Sequence, residues 1–170
     1  TGCGKSRFID VVAGLCYKGT KCSGAITPAP IYRMLRRWGG TLAIDEADFT
    51  NSDEKQEIVK ILNCGFERGR PVLRCSKDNP DELQILPTYS PKILGSRKRF
   101  DDIALESRCL TEVMQETPRK NIPFELSNEF YEEQLRLRNM LLMFRFKIFG
   151  KIDHDKLKGF DLGDVEPRIK

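Results

Sequence analysis

The sequence predicts an α/β fold with a mostly parallel sheet and a small helical element near its C-terminal end, and three observations carry that expectation. Short apolar, strand-like runs alternate with helical patterns along most of the chain. A glycine-rich turn, Thr1-Gly2-Cys3-Gly4-Lys5-Ser6, runs directly into a helical pattern. An apolar run, Leu42–Ile44, ends in two adjacent acids, Asp45 and Glu46, as a buried strand does when it delivers polar groups to a sheet edge. The composition fits one domain, or one domain with a small appendage: 170 residues, 39% hydrophobic and 32% charged.

The elements follow in order. Phe8, Val11, Val12 and Leu15 recur at helical spacing, which predicts a helix from Lys5 to about Leu15. A strand is expected around Cys22–Ile26. Thr27-Pro28 and Pro30 start a basic helix over Ile31–Trp38, and Gly39-Gly40 stops it. Thr41–Ile44 is the acid-tipped strand. Asn51 or Ser52 caps a helix running to about Arg68, with Ile58, Ile61 and Leu62 inward. Pro71–Cys75 and Leu83–Tyr89 flank a polar tip and predict a hairpin. Pro91–Ser96 is a further buried strand, Asp101–Ser107 a short helix, and Cys109–Met114 a last strand. Beyond a Thr117–Pro123 linker, Asn128–Phe149 predicts a long amphipathic helix, so the division falls between residues 1–118 and 119–170.

Several classes are excluded. No apolar run approaches the roughly 18 residues a membrane-spanning helix needs, so no membrane partner is expected. The balance of 29 basic and 25 acidic residues gives +4, which permits an anionic partner without demanding one. The six cysteines show no paired zinc spacing, and several lie in apolar or glycine-rich settings typical of buried reduced thiols; a cytoplasmic location is the expectation. The single histidine, His154, cannot build a histidine-rich metal site.

The opening turn matches the second half of G-x-x-x-x-G-K-[ST]. Backbone N–H groups of Gly2, Cys3, Gly4, Lys5, Ser6 and Arg7 would form an anion-binding nest at a helix N-terminus. Lys5 would meet the β- and γ-phosphates, and the Ser6 hydroxyl would bind Mg²⁺. The motif's first glycine and the strand feeding it would precede residue 1, so the sequence reads as a piece truncated at this loop. After 38 intervening residues, Asp45 would hold the same Mg²⁺ and Glu46 would polarise an attacking water. The two motifs together point to ATP and Mg²⁺ as the cofactors.

These residues resemble the AAA+ superfamily of P-loop ATPases from residue 1 to about 115. The stretches Thr41–Asp48 and Glu57–Gly69 look like ATPase domains of primase–helicase proteins from phages, plasmids and mobile elements. Pro91–Ser96 looks like the strand carrying a sensor residue, which makes Ser96 a catalytic candidate. Ala104–Cys109 is similar to the Ser-Arg-Cys segment of clamp loaders. The resemblance implies a three-layer sandwich, a homo-oligomeric ring, and Arg108 as a finger reaching a neighbouring subunit's ATP, a contribution of roughly 10³–10⁵ in rate. It also implies a helicase-like motor acting on single-stranded or duplex DNA in replication, with the hairpin before the sensor strand projecting into the channel and Lys77 gripping a phosphate. Arg97-Lys98-Arg99 and Arg33, Arg36 and Arg37 are further basic clusters; Trp38 and Tyr89 are aromatic candidates for base stacking; Arg136, Arg138 and Arg145 are candidates for a second sensor. A protein-directed switch or remodeller would use the same catalytic residues with a different pore.

Overall fold

The structure is a computed structural model and describes residues 3–49, 52–76 and 79–151. Its centre is a three-stranded parallel sheet in which β1 (Thr20–Ser23), β2 (Leu42–Asp45) and β5 (Lys92–Leu94) lie side by side in that order. The register sets Thr20 beside Leu42 and Leu42 beside Lys92, so all three strands end at the same edge. Between them come α2 (Pro28–Arg37), α3 (Asp53–Cys64) and an antiparallel hairpin of β3 (Val72–Cys75) and β4 (Leu83–Leu86). The helix α1 (Lys5–Leu15) precedes the sheet; the single-turn α4 (Ile103–Glu106) and the long α5 (Asn128–Ile148) follow it.

The alternation along β2 divides the core between the two sheet faces. Leu42 and Ile44 are fully buried among Ile31, Tyr32, Leu35, Ile58, Ile61 and Leu62 of α2 and α3. Ala43 points the other way, onto Ile9 and Ala13 of α1, with Ile93 beside it. A two-residue side-chain period thus places helices on both faces, the arrangement an all-parallel sheet requires. On the α1 side α5 is held by hydrogen bonds, Gln134 Nε2 to the Val11 carbonyl at 3.1 Å and Arg138 Nη1 to the Gly14 carbonyl at 3.4 Å.

Local chemistry explains most boundaries. Pro28 and Pro30 open α2, where a missing N–H costs nothing. Ser52 caps α3 by accepting from Lys55 N, and Asp53 and Glu54 in its first turn suit the positive end of the helix. Asp102 and Ser127 cap α4 and α5 in the same way.

Five expectations are corrected. The first strand lies at Thr20–Ser23 rather than Cys22–Ile26, because only residues 20–23 run alongside β2. The helix expected to reach Arg68 stops at Cys64, where Gly65 takes the cap position and its carbonyl accepts from Lys92. Residues 109–114 form no strand: they meet no strand edge, and Leu110 and Val113 stand in solvent. The long helix α5 is not the one-sided amphipathic helix expected: it buries no residue and exposes apolar side chains on more than one side, Leu137, Met140, Leu141 and Phe144 along one and Leu135 and Phe146 on another. All six cysteines are free, but none is fully buried, and Cys75 is exposed. No described helix is long and apolar enough to cross a membrane.

Candidate active site

The C-terminal edge of the parallel sheet gathers residues from three separate parts of the chain. Gly4 adopts a left-handed conformation (φ 80°) that glycine reaches without steric cost, and turns the chain into α1. Lys5 and Ser6 therefore occupy the first turn of an 11-residue helix that has no acidic residue there to oppose an anion. Gly2 lies outside the described residues; Cys3 is half-buried beside the turn, and Arg7 is tied down by a 2.6 Å bond from its guanidinium to the Phe124 carbonyl.

The Lys5 ammonium reaches across the edge and donates to the Ser96 carbonyl at 2.8 Å, so the loop lysine and the residue following β5 are in direct contact. Asp45 ends β2 next to them: a methyl group placed on Gly95 would lie 3.1 Å from the Asp45 carboxylate and 2.5 Å from Ile9 of α1. The absence of a side chain at Gly95 is what lets β2, β5 and α1 converge. Glu46 follows in the left-handed region (φ 55°), which costs a residue with a Cβ about 1–2 kcal/mol. In that turn its N–H donates to the Asp45 carboxylate at 2.9 Å, and its own side chain faces solvent. A strained acidic residue at the end of a central strand is the kind of feature that clusters at active sites.

The strands' pairing continues past their ends through residues that sequence reasoning left without a role. Ala47 N donates to the Gly95 carbonyl at 2.7 Å, and the Asp48 carboxylate accepts both the backbone N–H of Arg97 at 2.9 Å and its guanidinium Nε at 2.5 Å. The Arg97 backbone N–H, then its side chain, then the Lys5 charge hold the Asp48 carboxyl below the usual range. Asp48 thus locks the loop after β2 to the loop after β5, where Lys5 is bound. The only hint in the sequence was a third acid close behind Asp45 and Glu46.

Other expected site residues stand elsewhere. Arg108 turns back onto its own helix, bonding the Ala104 carbonyl and approaching Asn63 Oδ1 at 3.5 Å. Asn63 is at the C-terminal end of α3, whereas Glu46 precedes its N-terminal end. The Arg108 guanidinium is thus held against α3 and α4 of its own chain. Ser96 faces the edge with its carbonyl, while its hydroxyl donates to the Lys98 carbonyl. Lys77 lies outside the described residues, as does His154. Arg97, Lys98 and Arg99 each meet an acid, Asp48, Asp101 and Glu106 respectively, so that loop neutralises much of its own charge. Arg33, Arg36 and Arg37 remain on the exposed face of α2, opposite its buried residues. Trp38 and Tyr89 are both exposed, Tyr89 under the Arg68 guanidinium at 5.1 Å. Arg138 is engaged with α1, and Arg136 and Arg145 are exposed.

The donor set fits a magnesium–nucleotide pair in kind. One hydroxyl (Ser6) and one carboxylate (Asp45) are the few protein ligands Mg²⁺ takes when phosphates supply the rest. A lysine and a helix N-terminus free of acids suit the phosphates. No protein-family model, curated protein or solved structure matches the chain.

Proposed function

We propose that the chain is the ATP-hydrolysing core of an AAA+-type P-loop ATPase that works as a helicase-like motor on DNA in the replication of a mobile element. The observation that carries the reading is the meeting of Lys5, Asp45, Glu46 and Ser96 at one edge of a parallel sheet, although 90 residues separate the first from the last of them. In this reading Ser6 and Asp45 would hold Mg²⁺, which would supply charge neutralisation on a transferred phosphoryl group, and the Lys5 ammonium would leave the Ser96 carbonyl to bind the β- and γ-phosphates. Glu46, exposed and aimed off the strand end, polarises the attacking water. Arg108, whose guanidinium bonds Asn63 and the Ala104 carbonyl in its own chain, would act on the nucleotide of a neighbouring subunit in a ring.

The test is ATP hydrolysis by the complete protein with and without single-stranded DNA, beside Glu46→Gln and Arg108→Ala. Stimulation by DNA, with turnover lowered at least a hundredfold in both variants, is the expected result. Full activity in Glu46→Gln would remove the proposed site.

One observation favours a second reading, an ATP-dependent switch acting on protein. The hairpin pairs Leu73 with Ile85 and Cys75 with Leu83, and all four are exposed on one face. An apolar face of this kind suits a polypeptide better than a phosphate backbone. Turnover that ignores DNA but disappears in both variants would select this reading.

A further inference from the structure

The helix α5 presents two different sides. Tyr131, Gln134 and Arg138, spaced at i, i+3 and i+7, line the cavity against α1, and the last two bond its carbonyls. Leu137, Met140, Leu141 and Phe144 form a second stripe at i, i+3, i+4 and i+7, about 100° further round the helix. These four are 39%, 59%, 52% and 59% exposed, and no described residue covers them. The helix is also polar along its length. Glu129, Glu132 and Glu133 lie in its first half, Arg136, Arg138, Arg145 and Lys147 follow, and no acid occurs from residue 134 to 149.

We propose that this stripe is a two-fold interface in which α5 packs antiparallel against α5 of a second copy of the chain. The charge distribution selects that occupant. An antiparallel pair brings the acidic half of each helix against the basic half of the other, whereas a parallel pair sets like against like. With Met140 at the two-fold axis, Leu137 faces Phe144 of the partner subunit and Glu133 lies beside Lys147 of the partner subunit. The contact is isologous and therefore closes on itself. A nucleic acid fits less well, because the three glutamates would meet its phosphates. A membrane surface fits less well too, because Glu133, four residues before Leu137 on the same side of the helix, would be pressed against an anionic headgroup layer. The stripe is one helix wide and about 12 Å long from Leu137 to Phe144, which is smaller than a standard interface, so association on the order of micromolar is expected.

The experiment is sedimentation equilibrium of the complete protein, without nucleotide, across nanomolar to high micromolar concentrations. The wild type should pass from monomer to dimer. Glu133→Lys or Lys147→Glu should each weaken association roughly tenfold, and the double exchange should restore it, because both cross-helix pairs are then reversed together. Phe144→Asp should abolish the dimer. All these positions are exposed, and an unchanged circular dichroism spectrum shows that each variant is folded. A wild type that stays monomeric, a double exchange no better than the single ones, or oligomers indifferent to Phe144→Asp would overturn the proposal.

Discussion

Lys92 has the most unusual setting of any single side chain. It starts β5 with its ammonium withdrawn from water and donates to three carbonyls, those of Gly65, Thr88 and Ser90, at 3.0–3.1 Å. Burial lowers its pKa from 10.5 to about 8. Between those values the unfolded chain holds a proton that the folded chain has shed, so this residue's contribution to stability rises with pH through that window and is constant below it. The stability of the wild type relative to Lys92→Met should therefore increase from pH 8 to 10 by up to about 3 kcal/mol, followed by urea unfolding. No increase would mean that the amine keeps its ordinary pKa. The comparison with Lys92→Met also removes the thiols, whose effect runs the other way: burial pushes Cys22 up, and burial with the Glu106 charge pushes Cys109 up. Both should resist alkylation at neutral pH while exposed Cys75 reacts first, as peptide mapping of a brief iodoacetamide treatment would show.

Among the elements, α3 and the β2–β5 pair carry the clearest consequences. Ser52 satisfies one orphan N–H at the start of α3, and its replacement by Ala should cost about 1 kcal/mol of unfolding free energy. Gly95→Ala tests the convergence at the sheet edge. The new methyl would press on Ile9 and crowd Asp45, so it should cost about 1–3 kcal/mol of unfolding free energy and, under the ATPase reading, lower turnover as well. Full stability in urea unfolding would rule out this close approach of α1, β2 and β5. Asp48→Asn keeps an oxygen for the Arg97 N–H but drops the charge. As the Asp48 carboxyl is held low, the stability it contributes is present above its unfolded pKa and lost as pH falls through the folded one. The variant should therefore lose the wild type's extra stability near neutrality and match it more closely in acid.

At the scale of the whole molecule the question is how a DNA strand would be held. With Arg97, Lys98 and Arg99 each beside an acid, the exposed arginines of α2 are the strongest described basic face. Under the motor reading, replacing Arg33, Arg36 and Arg37 by Ala should weaken single-stranded DNA binding and flatten the salt dependence of log K by about 2. An unchanged slope would send the DNA path elsewhere.

The sequence alone determined the order and kind of nearly every element, because their signals are local. Pro28 and Pro30, the Ser52 cap and the spacing of Ile58, Ile61 and Leu62 each act within a turn or two of chain. It also marked Lys5, Asp45 and Glu46 as candidates through their residue types and spacing, and Ser96 through a resemblance to a sensor strand. It misjudged residues 109–114, since strand formation depends on a partner edge that apolar composition does not reveal. It placed the helix of α5 to within a residue but not the spread of its apolar side chains, since a pattern of apolar residues does not show what they pack against. Only the tertiary structure decided that Lys5 meets Ser96, that Asp48 ties two loops together and that Arg108 meets Asn63. Those contacts join residues 45 to 91 positions apart; the parallel register of β2 and β5 sets the first two at one sheet edge, and the packing of α4 on α3 makes the third.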